Sequence, residues 1–95
     1  MKHTTAEYLA WIDNKLAILT EIENTTLVMP MEVIARASLL ANRDVLVRHA
    51  KSETQDYYKN YGCDACGFDS EYIQYNQVFP CPTYLDIASK LDEVM

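Results

Sequence analysis

Three cysteines in the last third of the chain carry the clearest chemical signal in the sequence. Cys63 and Cys66 are separated by two residues and followed by Gly67, and Cys81 lies between two prolines. Two thiolates spaced as C-x-x-C can bind one metal ion if the chain turns tightly between them. The residue after the second thiolate often needs a positive φ, which glycine adopts without strain. The pattern is typical of a zinc knuckle.

A fourth ligand is needed, because structural zinc is bound by four ligands in a tetrahedron and the chain has only three cysteines. His49, upstream of the C-x-x-C pair, is the expected fourth ligand. Asp64, Asp69 and His3 remain alternatives. We therefore predict a closed structural Zn²⁺ site made by His49, Cys63, Cys66 and Cys81.

Two other interpretations of the cysteines remain open. A C-x-x-C can be a redox pair of the thioredoxin kind, although that motif follows a strand and opens a helix in a βαβ unit, a pattern that is not found around Cys63. The cysteines can also be plain buried residues, because a free thiol packs as a small apolar group. The odd number of cysteines favours metal binding over disulfides.

Catalytic motifs are not found beside the cysteines. The sequence contains no H-E-x-x-H, no Gly-rich phosphate loop and no nucleophile elbow. The zinc deaminase signature is also missing, because no second cysteine follows the Pro-Cys-Pro at Cys81. A catalytic zinc would keep one position open for water, whereas the predicted site has four protein ligands. We expect no enzymatic activity.

Hydrophobic periodicity predicts three long elements that would position the ligands. Thr4 and Glu7 form a capping box that opens a first helix over about residues 5–24. Pro30 suits the first turn of a second helix over about residues 30–51, which would place His49 in its last turn. A third helix is predicted over residues 82–94, with Cys81 at or beside its N-cap. A further short helix is predicted to begin at Ser52 and to continue through residue 58.

The first two helices are expected to form an antiparallel hairpin, since a short loop joins them. Apolar residues at helical spacing mark the faces that would be buried. On the first helix these are Leu9, Ile12, Leu16 and Leu19, with Tyr8, Ile18 and Ile22 beside them. On the second helix they are Val33, Ala37, Leu40 and Val47, with Ile34, Ala41 and Val45 in the neighbouring row.

The predicted fold is mainly α: an antiparallel helix hairpin, a zinc knuckle over residues 61–81 and a short C-terminal helix. We expect one domain over residues 1–95, because this length with 49% apolar residues suits a single small core. No segment reaches the length of a membrane span and no signal peptide is visible, so we expect no membrane contact and a cytoplasmic location.

Charge and aromatic content bear on the partners. A net charge of −6 opposes binding to nucleic-acid phosphates. Aromatic rings crowd the metal region and are expected either to cover the zinc site or to form a partner-binding face. These rings are Tyr57, Tyr58, Tyr61, Phe68, Tyr72, Tyr75 and Phe79.

The chain also resembles a family of small uncharacterised proteins encoded by actinobacteria and by the phages that infect them. The resemblance covers about residues 31–91. It is carried by Val47-Arg48-His49-Ala50, by the C-x-x-C-G at residues 63–67 and by the sequence P-C-P-T-Y-L-D-I-A at residues 80–88. It implies a zinc site and a phage or actinobacterial origin, with the host cytoplasm as the location. It implies no reaction.

Two functions follow as hypotheses. The first is a small zinc-binding accessory protein that binds and modulates a host protein, such as a nucleic-acid enzyme or a defence system, through the tyrosines or the acidic C-terminal third. The second is a zinc-dependent nucleic-acid-binding module that uses Arg36, Arg43, Arg48 and Lys51. Self-association through an apolar strip left uncovered on the helices is a further expectation.

Overall fold

The structure is a computed structural model that describes residues 1–25 and 30–95. The described part of the chain is mainly α, as predicted, and adds short antiparallel strand pairs. The helices are α1 (Thr5–Thr25), α2 (Pro30–Arg48) and α3 (Pro82–Val94). The strands are β1 (Lys51–Gln55), β2 (Tyr61–Cys63), β3 (Phe68–Asp69) and β4 (Gln74–Tyr75).

The start of α1 follows the predicted capping box. The backbone N–H of Glu7 donates to Oγ1 of Thr4 at 3.2 Å, and the N–H of Thr4 donates to Oε1 of Glu7 at 3.0 Å. The hydrogen bond from the Thr4 backbone lowers the pKa of the Glu7 carboxyl. Two free N–H groups of the helix start are thereby satisfied.

The end of α2 differs from the prediction. The helix ends at Arg48 rather than at residue 51, and His49 follows it, with its N–H bonded to the carbonyl oxygen of Val45 at 2.9 Å. The predicted short helix from Ser52 to residue 58 is wrong, because this segment forms β1 and a turn. The Ser52 hydroxyl is buried and accepts a hydrogen bond from the N–H of Gly62 at 2.9 Å, which ties β1 to β2.

The predicted buried face of α2 is also wrong. Val33, Leu40 and Val47 are about half exposed, and Ile34 is 67% exposed. The fully buried residue of α2 is Leu46. Apolar residues occur on two sides of this helix, so periodicity alone does not decide which side faces α1.

Ion pairs between the helices show how α2 lies on α1. Arg43 contacts Asp13 and Arg36 contacts Glu23, each with an N···O distance of 2.9 Å. The two helices therefore run side by side in opposite directions.

The strands form two small antiparallel pairs. In the first, Lys51 lies opposite Cys63 and the register shifts before the next pair. In the second, Phe68 lies opposite Tyr75 and Asp69 opposite Gln74. Gly62 is buried against the Tyr75 ring, and a Cβ at Gly62 would overlap that ring. The close approach of the two pairs therefore requires a glycine at this position.

The core lies where the base of the helix pair meets α3 and the cysteines. Its buried side chains are Tyr8, Ile12, Leu46, Cys63, Cys81, Tyr84, Ala88 and Leu91. We call this half of the molecule the head. The outer half of the helix pair, residues 16–25 and 30–40, is called the arm. No side chain described in the arm is buried.

Candidate metal centre

The structure brings together the four residues predicted to bind the metal. His49 follows α2, Cys63 ends β2, Cys66 lies in the turn after it, and Cys81 is the N-cap residue of α3. Their ligand atoms, one from each side chain, all lie within 4.8 Å of one another. Three segments that are distant in sequence therefore meet at one point, which can hold a metal ion.

The distances fit one metal with tetrahedral coordination. Nδ1 of His49 lies 3.2 Å from Sγ of Cys63, 3.4 Å from Sγ of Cys81 and 3.8 Å from Sγ of Cys66. A zinc ion with Zn–S bonds of about 2.3 Å and a Zn–N bond of about 2.0 Å would hold nitrogen and sulfur about 3.5 Å apart. The distances from His49 Nδ1 to Cys63 and Cys81 are slightly shorter than that value, and the distance to Cys66 is slightly longer.

Hydrogen bonds alone do not explain this arrangement. A ring nitrogen offers either one lone pair or one hydrogen, so it can make one good hydrogen bond. Nδ1 of His49 has three sulfur neighbours. A cation at the centre of the four atoms would satisfy all of them, because each offers a lone pair toward the same point.

The three thiols are coupled, and the coupling shifts the pKa of Cys66 and that of Cys81 in opposite directions. Hydrogen bonding with Cys63, followed by burial, raises the pKa of the Cys66 thiol to about 12. Burial raises the pKa of Cys81, but hydrogen bonds with the backbone N–H of Tyr84, with the thiols of Cys63 and Cys66 and with the N–H of Thr83 outweigh it, and the net shift of the pKa is downward. The Cys81 side chain makes no N-cap hydrogen bond of standard geometry to the first N–H groups of α3. A divalent cation would stabilise all three thiolates.

The turn around Cys66 has the backbone geometry expected of a knuckle. Gly67 has φ +92°, a left-handed conformation that glycine adopts without strain. The side-chain amide of Asn76 donates to the carbonyl oxygen of Cys66 at 3.0 Å, and the Asn76 N–H donates to the carbonyl oxygen of Gly67 at 3.0 Å. The N–H of Cys63 donates to the carbonyl oxygen of Gln77 at 2.9 Å. The hairpin that follows the C-x-x-C therefore fixes it in place.

The alternative fourth ligands have other environments. His3 lies beside Glu7, with Nδ1 3.4 Å from Oε2. Asp69 accepts hydrogen bonds from the N–H groups of Glu71 and Tyr72 and so closes the turn between β3 and β4. Asp64 is exposed, whereas Cys63 beside it is fully buried.

The aromatic residues divide into two groups. Phe79 packs on Tyr84 with ring centroids 4.8 Å apart, and Tyr84 is fully buried in the core next to Cys81. Tyr57, Tyr58 and Tyr72 are 72%, 56% and 59% exposed. The expectation that these three rings cover the metal site is therefore wrong, and they face away from the core.

One polar network of the head was missed in the sequence. The Tyr8 hydroxyl donates to Oδ1 of Asp92 at 2.7 Å and accepts hydrogen bonds from the N–H groups of Lys2 and His3. Burial raises the pKa of Tyr8, and the hydrogen bond from Tyr8 lowers the pKa of Asp92. Tyr8 had been placed beside the apolar stripe of α1, and nothing in its spacing indicated a partner near the C-terminus.

The four basic residues predicted for the nucleic-acid-binding alternative each contact another side chain. Arg36 contacts Glu23, Arg43 contacts Asp13, and Arg48 contacts Asp44. Nζ of Lys51 lies 4.1 Å from the centroid of the Tyr61 ring.

No helix in the described ranges is long and apolar enough to span a membrane.

No protein-family model, curated protein or solved structure matches the chain. The resemblance to small actinobacterial and phage proteins therefore stays a prediction.

Proposed function

We propose that this chain is a small, non-enzymatic zinc-binding accessory domain whose aromatic surface binds and modulates a partner protein. In this proposal, Nδ1 of His49 and the three thiolates hold one Zn²⁺ ion. The ion joins a helix hairpin to a zinc knuckle and to α3. The observation that carries the proposal is the convergence of four ligand atoms at distances close to those of a zinc tetrahedron.

The donor set favours zinc over other common metal ions. Thiolates are soft ligands that suit zinc, whereas magnesium and calcium take oxygen ligands. Three thiolates with one imidazole nitrogen are a standard structural zinc set. Four protein ligands would fill the tetrahedron and leave no position for a reactive water, so the ion would have a structural role.

Cobalt substitution tests the proposed ligand set. Replacing zinc with Co²⁺ should give thiolate-to-metal charge-transfer absorption and the d–d bands of a tetrahedral ion. His49→Ala should weaken metal binding and shift the d–d bands, because one nitrogen ligand is lost. The matched control His3→Ala should leave the spectrum unchanged. Weak octahedral bands in the wild-type protein, or identical spectra for the two histidine variants, would contradict the proposal.

The aromatic surface comprises Tyr57, Tyr58, Phe68, Tyr72 and Ile73. It is built by the turn after β1 and by the β3–β4 hairpin, which meet where the N–H of Tyr57 donates to the carbonyl oxygen of Ile73 at 3.1 Å. The five side chains are 47% to 72% exposed. Large exposed rings held close together mark protein-interaction sites, and tyrosine is a frequent anchor residue.

The backbone supports this assignment at Ile73. This residue has φ +53° while its side chain is 52% exposed. A β-branched residue is strained in the left-handed region, at a cost of roughly 1–2 kcal/mol. Strain of this kind is concentrated at functional surfaces.

The charge near the aromatic surface indicates the chemistry of the partner. Glu71 is an exposed acidic residue of the β3–β4 hairpin, and Glu53 in β1 and Asp64 after β2 are exposed acidic residues of neighbouring segments. Lys59, in the turn after β1, is an exposed basic residue. Asp56 is partly exposed, and its carboxylate accepts hydrogen bonds from the N–H groups of Tyr58 and Asn60 at 2.9 Å within the turn. A partner with an apolar pocket rimmed by basic residues would be complementary. Enzymes that act on nucleic acid present basic surfaces of this type.

Site-specific photocrosslinking tests the partner surface. A photoreactive residue at Tyr57 or at Tyr72 should capture one and the same protein, whereas the same residue at Met31 in the arm should not. The purified partner should then bind Tyr57→Ala about 10-fold or more weakly than wild type, as expected for an interface anchor. Equal affinity for wild type, Tyr57→Ala and Tyr72→Ala would overturn this part of the proposal.

The nucleic-acid-binding alternative has no specific observation in its favour. Arg36, Arg43 and Arg48 are paired with acidic side chains, and Lys51 lies on an aromatic ring. Steep salt dependence of binding to DNA would be needed to support it.

A further inference from the structure

A groove between α1 and α2 is an apolar concave surface. It has a volume of about 410 Å³ and is lined by Trp11, Ile18 and Leu19 of α1 and by Ala35, Ser38 and Leu39 of α2. The one charged residue in its lining is Lys15, whose Nζ lies 5.3 Å from the centroid of the Trp11 ring. We propose that this groove is a dimerisation face, in which the helix pairs of two copies form a four-helix bundle.

The spacing of the lining residues is that of a helix bundle. Trp11, Lys15 and Ile18 follow one another at intervals of four and three residues along α1. On α2, Ala35 lies three residues before Ser38 and four before Leu39. Intervals of three and four keep side chains on one face of a helix, as in coiled coils and four-helix bundles.

The groove is complementary to itself. Its α1 side carries the bulky side chains of Trp11, Ile18 and Leu19. Its α2 side carries the small side chains of Ala35 and Ser38 beside the larger Leu39. A two-fold axis that places α1 of one copy against α2 of the other would put the bulky side chains of each onto the small-residue strip of its partner. A C₂ interface requires this kind of self-complementary patch.

The excess of exposed area over that of a compact monomer is close to the area that a dimer interface buries on each partner. The chain exposes 6476 Å², about 900 Å² more than the roughly 5,600 Å² expected for a folded monomer of this mass. A standard interface buries about 800 Å² on each partner. The excess arises from an elongated shape, since the molecule measures 55 × 23 × 18 Å and its radius of gyration is 16.4 Å, against about 12 Å for a compact chain of this length.

The charge distribution selects the helix pair over the rest of the molecule as the contact between copies. Residues 5–48, from the start of α1 to the end of α2, contain four basic and six acidic residues, whereas the remaining residues contain four basic and eight acidic ones. Two copies would repel one another strongly through the acidic part and only weakly through the helices. The pairs of Arg36 with Glu23 and of Arg43 with Asp13 neutralise most of the charge that lies between α1 and α2.

Sedimentation analysis of the full chain, with metal bound, tests the proposal. Wild type should sediment as a reversible dimer of twice the 10.9 kDa chain mass. Ile18→Glu should weaken the dimer about 100-fold or more, because it would place two charges in the apolar interface. The matched control is Val33→Glu, which changes an exposed apolar residue of α2 outside the groove and should leave the dimer unchanged.

Two further readouts separate the possible outcomes. Metal content should be the same in wild type and both variants, which shows that a monomeric variant still has a folded head. The emission of Trp11, the single tryptophan, should shift with protein concentration in wild type and in Val33→Glu but not in Ile18→Glu. A monomeric wild type across the concentration range would overturn the proposal. A dimer weakened by Val33→Glu and kept by Ile18→Glu would overturn it as well.

Discussion

The head and the arm of this molecule obtain their stability in different ways. The head buries eight apolar side chains, two of them cysteines from the metal cluster, and joins segments that are distant in sequence. The arm buries no described side chain and is held by half-exposed apolar residues and by the Arg36–Glu23 ion pair. The stability of the head therefore depends on a few contacts of large effect. The stability of the arm depends on many small contacts and on the second copy that we propose covers the groove. Variants in the two regions should differ accordingly.

The largest effect is expected from loss of a metal ligand. Cys63→Ser should remove the metal and unfold the head, because structural zinc can supply on the order of 10 kcal/mol to the folding of a small domain. The measurements are metal content, near-ultraviolet circular dichroism and melting temperature. His3→Ala is the control and should retain the metal. An unchanged melting temperature in Cys63→Ser would show that the head does not depend on the metal.

The next effect is expected where the two strand pairs meet. Gly62→Ala should destabilise the head by about 1–3 kcal/mol, because its new Cβ overlaps the Tyr75 ring and the packed strands must shift. Denaturant unfolding measures this loss. Tyr75→Ala should remove most of the penalty in the double variant, so the double-mutant cycle should show a coupling of about 1 kcal/mol or more. Strictly additive losses would mean that the two residues do not touch.

A smaller effect is expected from the polar network of the head. Tyr8→Phe should cost about 1–2 kcal/mol, because it removes the hydroxyl that donates to Asp92 and accepts two backbone N–H groups. Tyr57→Phe, at an exposed ring, should cost almost nothing. Chemical denaturation of both variants measures the difference.

The same network should respond to pH. The pKa of Asp92 is lowered because the Tyr8 hydroxyl donates to its carboxylate. The stabilisation is present at pH values above the ordinary carboxyl pKa and is lost as the pH falls through the lowered pKa of the folded state. The stability of Tyr8→Phe should therefore depend less on pH in the acid range than the stability of wild type. Parallel acid-unfolding curves would contradict this account of Asp92.

The smallest effects are expected at two partly exposed ion pairs of the helices, that of Arg36 in the arm and that of Arg48 at the end of α2. Arg36→Ala should cost at most about 1 kcal/mol, since its guanidinium bonds Glu23 twice and Thr20 once at a half-exposed position. Arg48→Ala should cost about 0.3 kcal/mol, because its pair with Asp44 lies within one helix and Arg48 is 71% exposed. A loss from Arg36→Ala as large as that from Gly62→Ala would remove the distinction between arm and head.

The same distinction explains what the sequence could and could not predict. Helix starts were predictable because Thr4, Glu7 and Pro30 act locally. The four clustered residues were predictable from ligand type and spacing, and Gly67 from the turn it has to make. The buried face of α2 was not, because apolar residues occupy two of its sides and the choice depends on contacts with α1 and α3.

Contacts between residues that are distant in sequence could not be predicted from hydrophobic periodicity either. The Ser52 hydroxyl accepts a hydrogen bond from the N–H of Gly62. The Tyr8 hydroxyl donates to Asp92, which lies near the other end of the chain. Lys51 to Gln55 are polar residues that would suit a helix, yet their backbone pairs with β2 because the C-x-x-C brings that strand beside them. Tertiary contacts outweigh local propensity at such positions.

We propose that four side chains bind one zinc ion and that this ion holds the head together. Native mass spectrometry of protein purified without chelator, compared with the same sample after denaturation, tests it most directly. We expect one zinc ion per chain in the native protein and none after denaturation. A metal-free native protein with three freely titratable thiols would contradict the claim and would make the cysteines core or redox residues.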